Sequence, residues 1–417
     1  MFTRRAFVKN SGLAMYGVGA APAWLARAAF ADTSSAQHRK ILVAIFQRGA
    51  ADGLNVVVPF GEPRYYGLRP TIAIPRPSSG PNAADSAIDL NGFFGLHPSL
   101  APLQPIYDAK ALAIVHATGS PDPTRSHFDA QDYMEAGTPG LKATTSGWLN
   151  RALAQGASPI SPLRAISLGP ALPRTLRGQN PAVAVNNIVD FQVRDTASAQ
   201  MFESMYEHSV DTVLSGTGRE TFEAVRMLQA IQKQTYTPAG GASYPNGRFG
   251  QSMQQIVRLI KANVGVEVAF ADIGGWDTHF NQMAGKASQG TLANQLRELG
   301  QGLAAFYRDL GDRMADVAVV TMSEFGRTAK ENGSRGTDHG HANVMFVMGG
   351  GINGGIRGQW PGLEQEQLYE ARDLNVTTDF RDVLGELVSN HLGNRQIGAV
   401  FPGYEADARK FRGVVAG

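Results

Sequence analysis

VAVVTMSEFGRTAKENGSRGTDHGHANVMFVMGGG, residues 317–351, decides how the rest of the chain is read. Val317 to Met322 is an apolar, β-branched run, the pattern of a strand buried on both faces. Its end delivers Ser323, Glu324 and Arg327 to the edge where open α/β sheets place their ligands. A loop of Gly and small polar residues follows, then Thr337, Asp338, His339, Gly340 and His341, then a second strand from Asn343 to Met348. One acid and two imidazoles within residues 338–341 are more ligand chemistry than a core needs. Imidazole together with carboxylate suits zinc, manganese or iron. The plainer alternative is a polar loop with a capping Asp and two solvated His.

Upstream, Val266 to Ile273 is a strong strand that runs into Gly274, Gly275, Trp276, Asp277, Thr278 and His279. Asp277 and His279 can both turn toward a metal in an irregular loop; alternatively they form a turn with an exposed His. Leu292 to Met314 reads as a long amphipathic helix linking this strand to Val317–Met322 as a βαβ crossover. Such a crossover makes the two strands parallel and puts both C-terminal ends on one edge of the sheet. Asp277, His279, Glu324 and the loop from Asp338 to His341 are then expected to converge there.

Lys40 to Phe46 reads as a further buried strand, followed by a turn carrying Asp52 and Gly53. Asp52 either presents its carboxylate at the sheet edge or simply makes the turn. Residues 61–100 are rich in Pro, Gly, Ser and Asn and read as an irregular excursion with short strands. Ala111 to His116 is another short strand, with His116 read as structural. Prolines 121 and 123 block a helix until about Ser126, after which Phe128, Tyr133 and Met134 are its expected apolar positions. Ser126 is a helix cap, a nucleophile or both, and Arg125 beside it can pair bidentately with a phosphate or sulfate. Helices are expected from Gly147, over Ser198–Ser215, 219–235 and 248–263, and finally over Thr378–Leu392 with Thr377 or Thr378 as cap. No internal repeat or composition break divides the chain, so one domain over residues 40–417 with helical insertions is expected.

The N-terminus reads as an export signal over residues 1–31, followed by a polar linker over 32–39. Arg4 and Arg5 form a pair, followed by Phe7 and Lys9, then an uncharged Gly- and Ala-rich stretch and Ala29-Phe30-Ala31. This resembles a twin-arginine signal, which implies the twin-arginine translocase as a partner and a soluble periplasmic or secreted product. Charged residues make up 18% of the 417, and the formal net charge of +2 is too small and dispersed for nucleic-acid binding. There are no cysteines, so disulfides and thiol nucleophiles are excluded and any metal is held by nitrogen and oxygen donors.

The twin-arginine start, QRGAADGLNVVVP, RSHFDAQ, GGWDTH, SEFGRT and GTDHGHA together resemble a bacterial family known as domain of unknown function 1501. That family is similar to the alkaline phosphatase and sulfatase superfamily, which implies an α/β fold with a mostly parallel sheet, helices on both faces and two metal ions. The resemblance implies metal ligands at Asp52, Asp277, His279, Asp338, His339 and His341, and a nucleophile at Ser126, with Thr124 as a lesser candidate. Glu324 joins the ligands from its strand-end position, and Arg125 or Arg327 is the expected clamp for non-bridging oxygens. Asp277 and His279 lie closer together than in the phosphatases, and Ser323 to Gly336 separate the Asp-His pair from its strand. A sulfatase-type formylglycine motif is absent. The implied function is an exported hydrolase of a phosphate, less favourably a sulfate, ester of a small molecule or glycan. It would use two divalent ions (zinc, manganese, iron or calcium) with a Ser nucleophile or an activated water. The alternative is a non-catalytic metal-containing envelope binding or assembly protein.

Overall fold

The structure, a computed structural model, describes residues 39–80, 83–153, 161–188 and 212–416. The export signal, the linker up to residue 38 and most of the helix expected over Ser198–Ser215 lie outside the described residues.

Nine strands form the main sheet: β1 (Ile41–Gln47), β2 (Leu112–Gly119), β3 (Ala165–Leu168), β4 (Val183–Val185), β5 (Val268–Ile273), β6 (Val317–Ser323), β7 (Asn343–Gly349), β8 (Gly355–Arg357) and β9 (Thr378–Asp379). Their spatial order is β8-β2-β7-β6-β1-β5-β3-β4, with β9 also paired to β2. β1 lies at the centre, parallel to both β5 and β6. β7 alone runs antiparallel, against β6 on one side and β2 on the other. The expected α/β class with a mostly parallel sheet is therefore observed. The crossover from β5 to β6 runs through helix α4 (Thr291–Leu310) and passes over β1, so the two strands are parallel but not neighbours.

Side-chain alternation splits the central strands between two cores. Val43 and Ile45 of β1 and Val317 and Val319 of β6 pack on one face; Leu42, Ala44, Phe46, Ala318, Val320 and Met322 pack on the other. The first face is covered by α3 (Arg248–Lys261) and α4. α4 buries Leu292, Leu296, Leu299, Leu303, Phe306 and Leu310, a stripe at alternating four- and three-residue spacing that marks one helical face. The second face is covered by Trp148, Leu149, Phe401 and helix α5 (Phe380–Glu386). Helices thus lie on both faces, as a sheet of continuous apolar strands requires. The helix expected over 219–235 is observed as α2, Thr212–Gln232. α5 is capped by Asp379, whose side chain accepts from Arg381 N; Thr378 is taken up by pairing in β9, so it is not the cap.

The topology fixes where function can sit. The loops after β1, β2, β5 and β6 all leave from the same C-terminal edge. Because β7 is antiparallel, the loop 324–342 begins and ends on that edge too. α1 (His127–Ala136) starts there after the β2 loop, with Ser126 as its N-cap. Its buried positions include Tyr133 and Met134, whereas Phe128, expected on the apolar face, is 88% exposed.

Two histidines below the sheet edge are buried neutral. Burial pushes His97 down to about 3, and His116 to about 4, from an ordinary value of 6.5. His116 Nε2 donates to Val57 O, which fits its structural reading. Unfolded imidazoles bind a proton below about 6.5 and these folded ones do not, so their stabilisation is complete above that pH and is lost as pH falls toward the folded values. Together they are expected to remove roughly 2–3 kcal/mol between pH 7.5 and 5.5. His97→Asn keeps an acceptor for Ser99 N and cannot charge. Urea titrations of that variant are expected to show a pH-linked loss smaller by about 1.4 kcal/mol; an unchanged loss contradicts a neutral buried His97.

Candidate metal centre

Four donor atoms meet above the C-terminal edge. His339 Nε2 lies 3.0 Å from His127 Nε2 and 3.0 Å from His279 Nε2. Asp277 Oδ1 lies 3.1 Å from His279 Nε2, 3.4 Å from His339 Nε2 and 3.6 Å from His127 Nε2. Asp277 and His279 come from the β5 loop, His339 from the β6–β7 loop and His127 from the first turn of α1.

The opposite ring nitrogens decide what this cluster is. His127 Nδ1 is 2.8 Å from Glu324 Oε1, His279 Nδ1 is 3.0 Å from Asp338 Oδ1, and His339 Nδ1 is 2.9 Å from the carbonyl of Arg125. Each partner is a pure acceptor, so each Nδ1 carries the proton and donates it. In the neutral ring the lone pair is then on Nε2, so the His339 lone pair faces those of His127 and His279 beside the Asp277 carboxylate, with Arg327 Nη1 3.4 Å from His279 Nε2. That arrangement is repulsive unless a cation sits between them. A ring whose other nitrogen donates to a carboxylate or backbone carbonyl is the usual second layer of a metal site. Bonds of about 2.0–2.1 Å place neighbouring donors about 2.8–3.4 Å apart in octahedral or tetrahedral coordination; the spacings of 3.0, 3.1 and 3.4 Å match this and the 3.6 Å between Asp277 and His127 slightly exceeds it. The competing occupant is a proton. The bond to Glu324 raises the His127 pKa, while burial lowers that of His339.

The carboxylates around the rings are ionised. Burial works to raise Glu324, but bonds from His127, Gln131 and the Gly49 amide hold it below its usual range. Asp338 is lowered by Asn332 and His279, and Asp277, against its own burial, by Arg327.

Arg327 is fully buried and donates to the carbonyls of Gly49, Ala50, Trp276 and Thr337 and to Asp277 Oδ1 at 2.6 Å. It ties the β1, β5 and β6 loops together. Backbones crowd at this junction: a Cβ on Gly49, whose φ is +115°, would lie 2.7 Å from the Asp277 amide nitrogen.

The other expected site residues are placed as follows. Asp52 is buried in a bidentate pair with Arg69 (2.6 and 2.9 Å) and accepts from Gln282 Nε2, so its carboxylate is spent beneath the centre. Glu324 and Asp338 hold imidazole protons. His341 turns away, with Nε2 on the Ser120 carbonyl. The Arg125 side chain binds Asp373 and Glu370 and only its carbonyl faces the centre. Ser126 accepts from the Asp129 amide at 3.5 Å, a long cap contact, and its neighbours on both sides touch the centre. His127 is a donor that sequence reasoning missed; its only local signal is a His in the first turn of the α1 helix.

The chain belongs to the DUF1501 family, described as proteins of unknown function, which it matches over residues 39–395. None of the curated proteins is similar to it. Among solved structures it is similar to the C-terminal periplasmic domain of EcEptC from Escherichia coli in complex with Zn, at 10% identity over 90% of each chain and a TM-score of 0.37. It is also similar to a protein in the alkaline phosphatase superfamily from Vibrio parahaemolyticus, at 10% identity over 76% of this chain and 62% of that one, TM-score 0.28. Among the described residues no helix is long and apolar enough to cross a membrane.

Arg327→Ala leaves Asp277 and four carbonyls without their donor. Because Asp277 is half exposed, the cost falls chiefly on the carbonyls left unpaired; it is expected to be about 3 kcal/mol, and metal binding is expected to weaken with it. Asp52→Ala is expected to cost a similar amount while leaving the metal affinity of the folded protein within a few-fold. Denaturant titration and metal titration of both variants check this.

Proposed function

We propose that the protein is an exported metal-dependent hydrolase of a phosphate or sulfate ester, working with one divalent ion held by His127, His279, His339 and Asp277. The observation that carries this reading is that His339 Nε2 lies 3.0 Å from the Nε2 atoms of both His127 and His279, with each ring fixed by a donating Nδ1. A donor set of three imidazoles and one carboxylate suits zinc, manganese or iron and not calcium, which takes oxygen ligands.

The sequence suggests two ions; the geometry supports one. Of the seven ligands expected, only Asp277, His279 and His339 face the centre. Among the described residues one group, His127, Asp277 and His339, has donor atoms close enough together to hold an ion, and His279 adjoins it through His339 and Asp277. When bound, the ion supplies Lewis acidity toward an ester oxygen.

The chain's own residues do the rest. Glu324, Asp338 and the Arg125 carbonyl hold the rings neutral and oriented. Ser126, between two residues that touch the centre, is the candidate nucleophile, and its loose cap contact leaves the hydroxyl free to turn. Among the described residues, Arg327 has no free donor for an oxyanion clamp, whereas Arg125 bonds through Nε and Nη2 and keeps Nη1 uncommitted. The His127 and His339 side chains are 25% exposed and Asp277 48%, so the centre opens to solvent. A closed structural ion, as the non-catalytic alternative requires, fits this less well. The paired arginines at the N-terminus support export by the twin-arginine route.

Elemental analysis is expected to find about one equivalent of metal per chain. His127→Ala is expected to lose it, although local sequence does not mark that residue, and His341→Ala to keep it. Ser126→Ala is expected to keep the metal and lose about a hundredfold or more in turnover of a chromogenic ester. Full metal in His127→Ala, or none in the wild type, contradicts the assignment.

A further inference from the structure

Three large hydrophobic side chains are exposed among the described residues: Phe128, Leu141 and Phe280. Phe128 and Phe280 each follow a donor directly, His127 and His279. They are 88% and 72% exposed. Neither serves the fold, since α1 packs through Ala130, Tyr133, Met134 and Ala136. The first turn of α1 and the loop after β5 thus each set a bare aromatic ring next to a donor in sequence, with the Phe280 ring centroid 6.5 Å from that of His279.

Arg327 has every donor committed, while Arg125 keeps Nη1 uncommitted and Arg372 lies beside the centre, donating to the His339 carbonyl. An anionic ester group is met by the ion and the guanidinia of Arg125 and Arg372. The uncharged part of the ester is left to the exposed surface next to the donors, where Phe128 and Phe280 lie.

Resting on the hydrolase reading above, we propose that the substrate is an ester with an apolar arm, alkyl or aryl, which lies against Phe128 and Phe280 while the ester group reaches the metal centre. The two rings shield that arm from water and set the preference for it.

The test is calorimetric binding of methyl, butyl and octyl hydrogen methylphosphonate, monoanions that differ only in the arm, to the metal-loaded protein. Wild type, Phe128→Ala, Phe280→Ala and the double variant are compared, with metal content checked in each. Both side chains are at the surface, so folding and metal content are expected to be unchanged. With the arm partly covered, octyl is expected to bind about tenfold or more tighter than butyl, and the double variant to lose most of that difference. Equal affinity along the series, or a chain-length preference kept in the double variant, overturns the proposal. So does cosedimentation with phosphatidylcholine vesicles that the double variant loses while the series is flat, since the rings would then dock a membrane. If the series behaves as expected but no ester is turned over, the hydrolase reading fails and the apolar subsite stands. If esters are turned over without regard to the arm, the subsite fails and the hydrolase reading stands.

Discussion

Arg327 is the residue on which the candidate site depends. It leaves the end of β6, is fully buried, and donates to backbone carbonyls of the β1 loop, the β5 loop and the β6–β7 loop as well as to Asp277. A buried guanidinium is tolerated only when all its donors are used, so the position of each loop is set by the need to supply an acceptor. One of those acceptors belongs to Ala50, whose φ of +63° is a conformation that alanine adopts at a cost. The bond from Arg327 Nε to the Ala50 carbonyl, at 2.7 Å, helps to hold that strained residue in place. The same side chain therefore fixes the backbone of three loops and orients one of the four donors.

The antiparallel strand β7 completes the arrangement. A parallel strand after β6 would have carried the chain to the far edge of the sheet. The β7 return keeps residues 324–342 at the ligand edge, so Glu324 and His339 from one loop reach His127 from different sides. His339 also binds the carbonyl of Arg125, so the β2 loop and the β6–β7 loop are locked to each other across the centre.

Much of this was legible in the sequence. The central strands β1, β2, β5, β6 and β7 were visible as short β-branched apolar runs because both faces of the sheet are covered. Asp277 and His279 were visible because they follow such a run closely, and His339 because it stands in an Asp-His-Gly-His cluster just before one. His127 was not: beside Ser126 and at a helix start, the local pattern reads as a cap, and only the β2–β7 pairing brings the ring to the centre. Asp52 shows the converse. Its partner Arg69 lies in a stretch with no periodicity, so no local pattern announces the ion pair that takes up its carboxylate. Glu324 and Asp338 look the same in sequence whether they bind a metal or an imidazole proton; the choice is made by which atom of the ring they face. The exposure of Phe128 was also hidden, because a helical position with an aromatic residue ordinarily points inward.

The most direct test of the central claim is X-ray absorption at the metal edge of the zinc- or manganese-reconstituted protein. The account predicts a first shell of three imidazole nitrogens and at least one oxygen, with no second metal scatterer near about 4 Å. A metal–metal vector at that distance, or a shell with fewer than three imidazoles, would contradict a single ion held by His127, His279, His339 and Asp277.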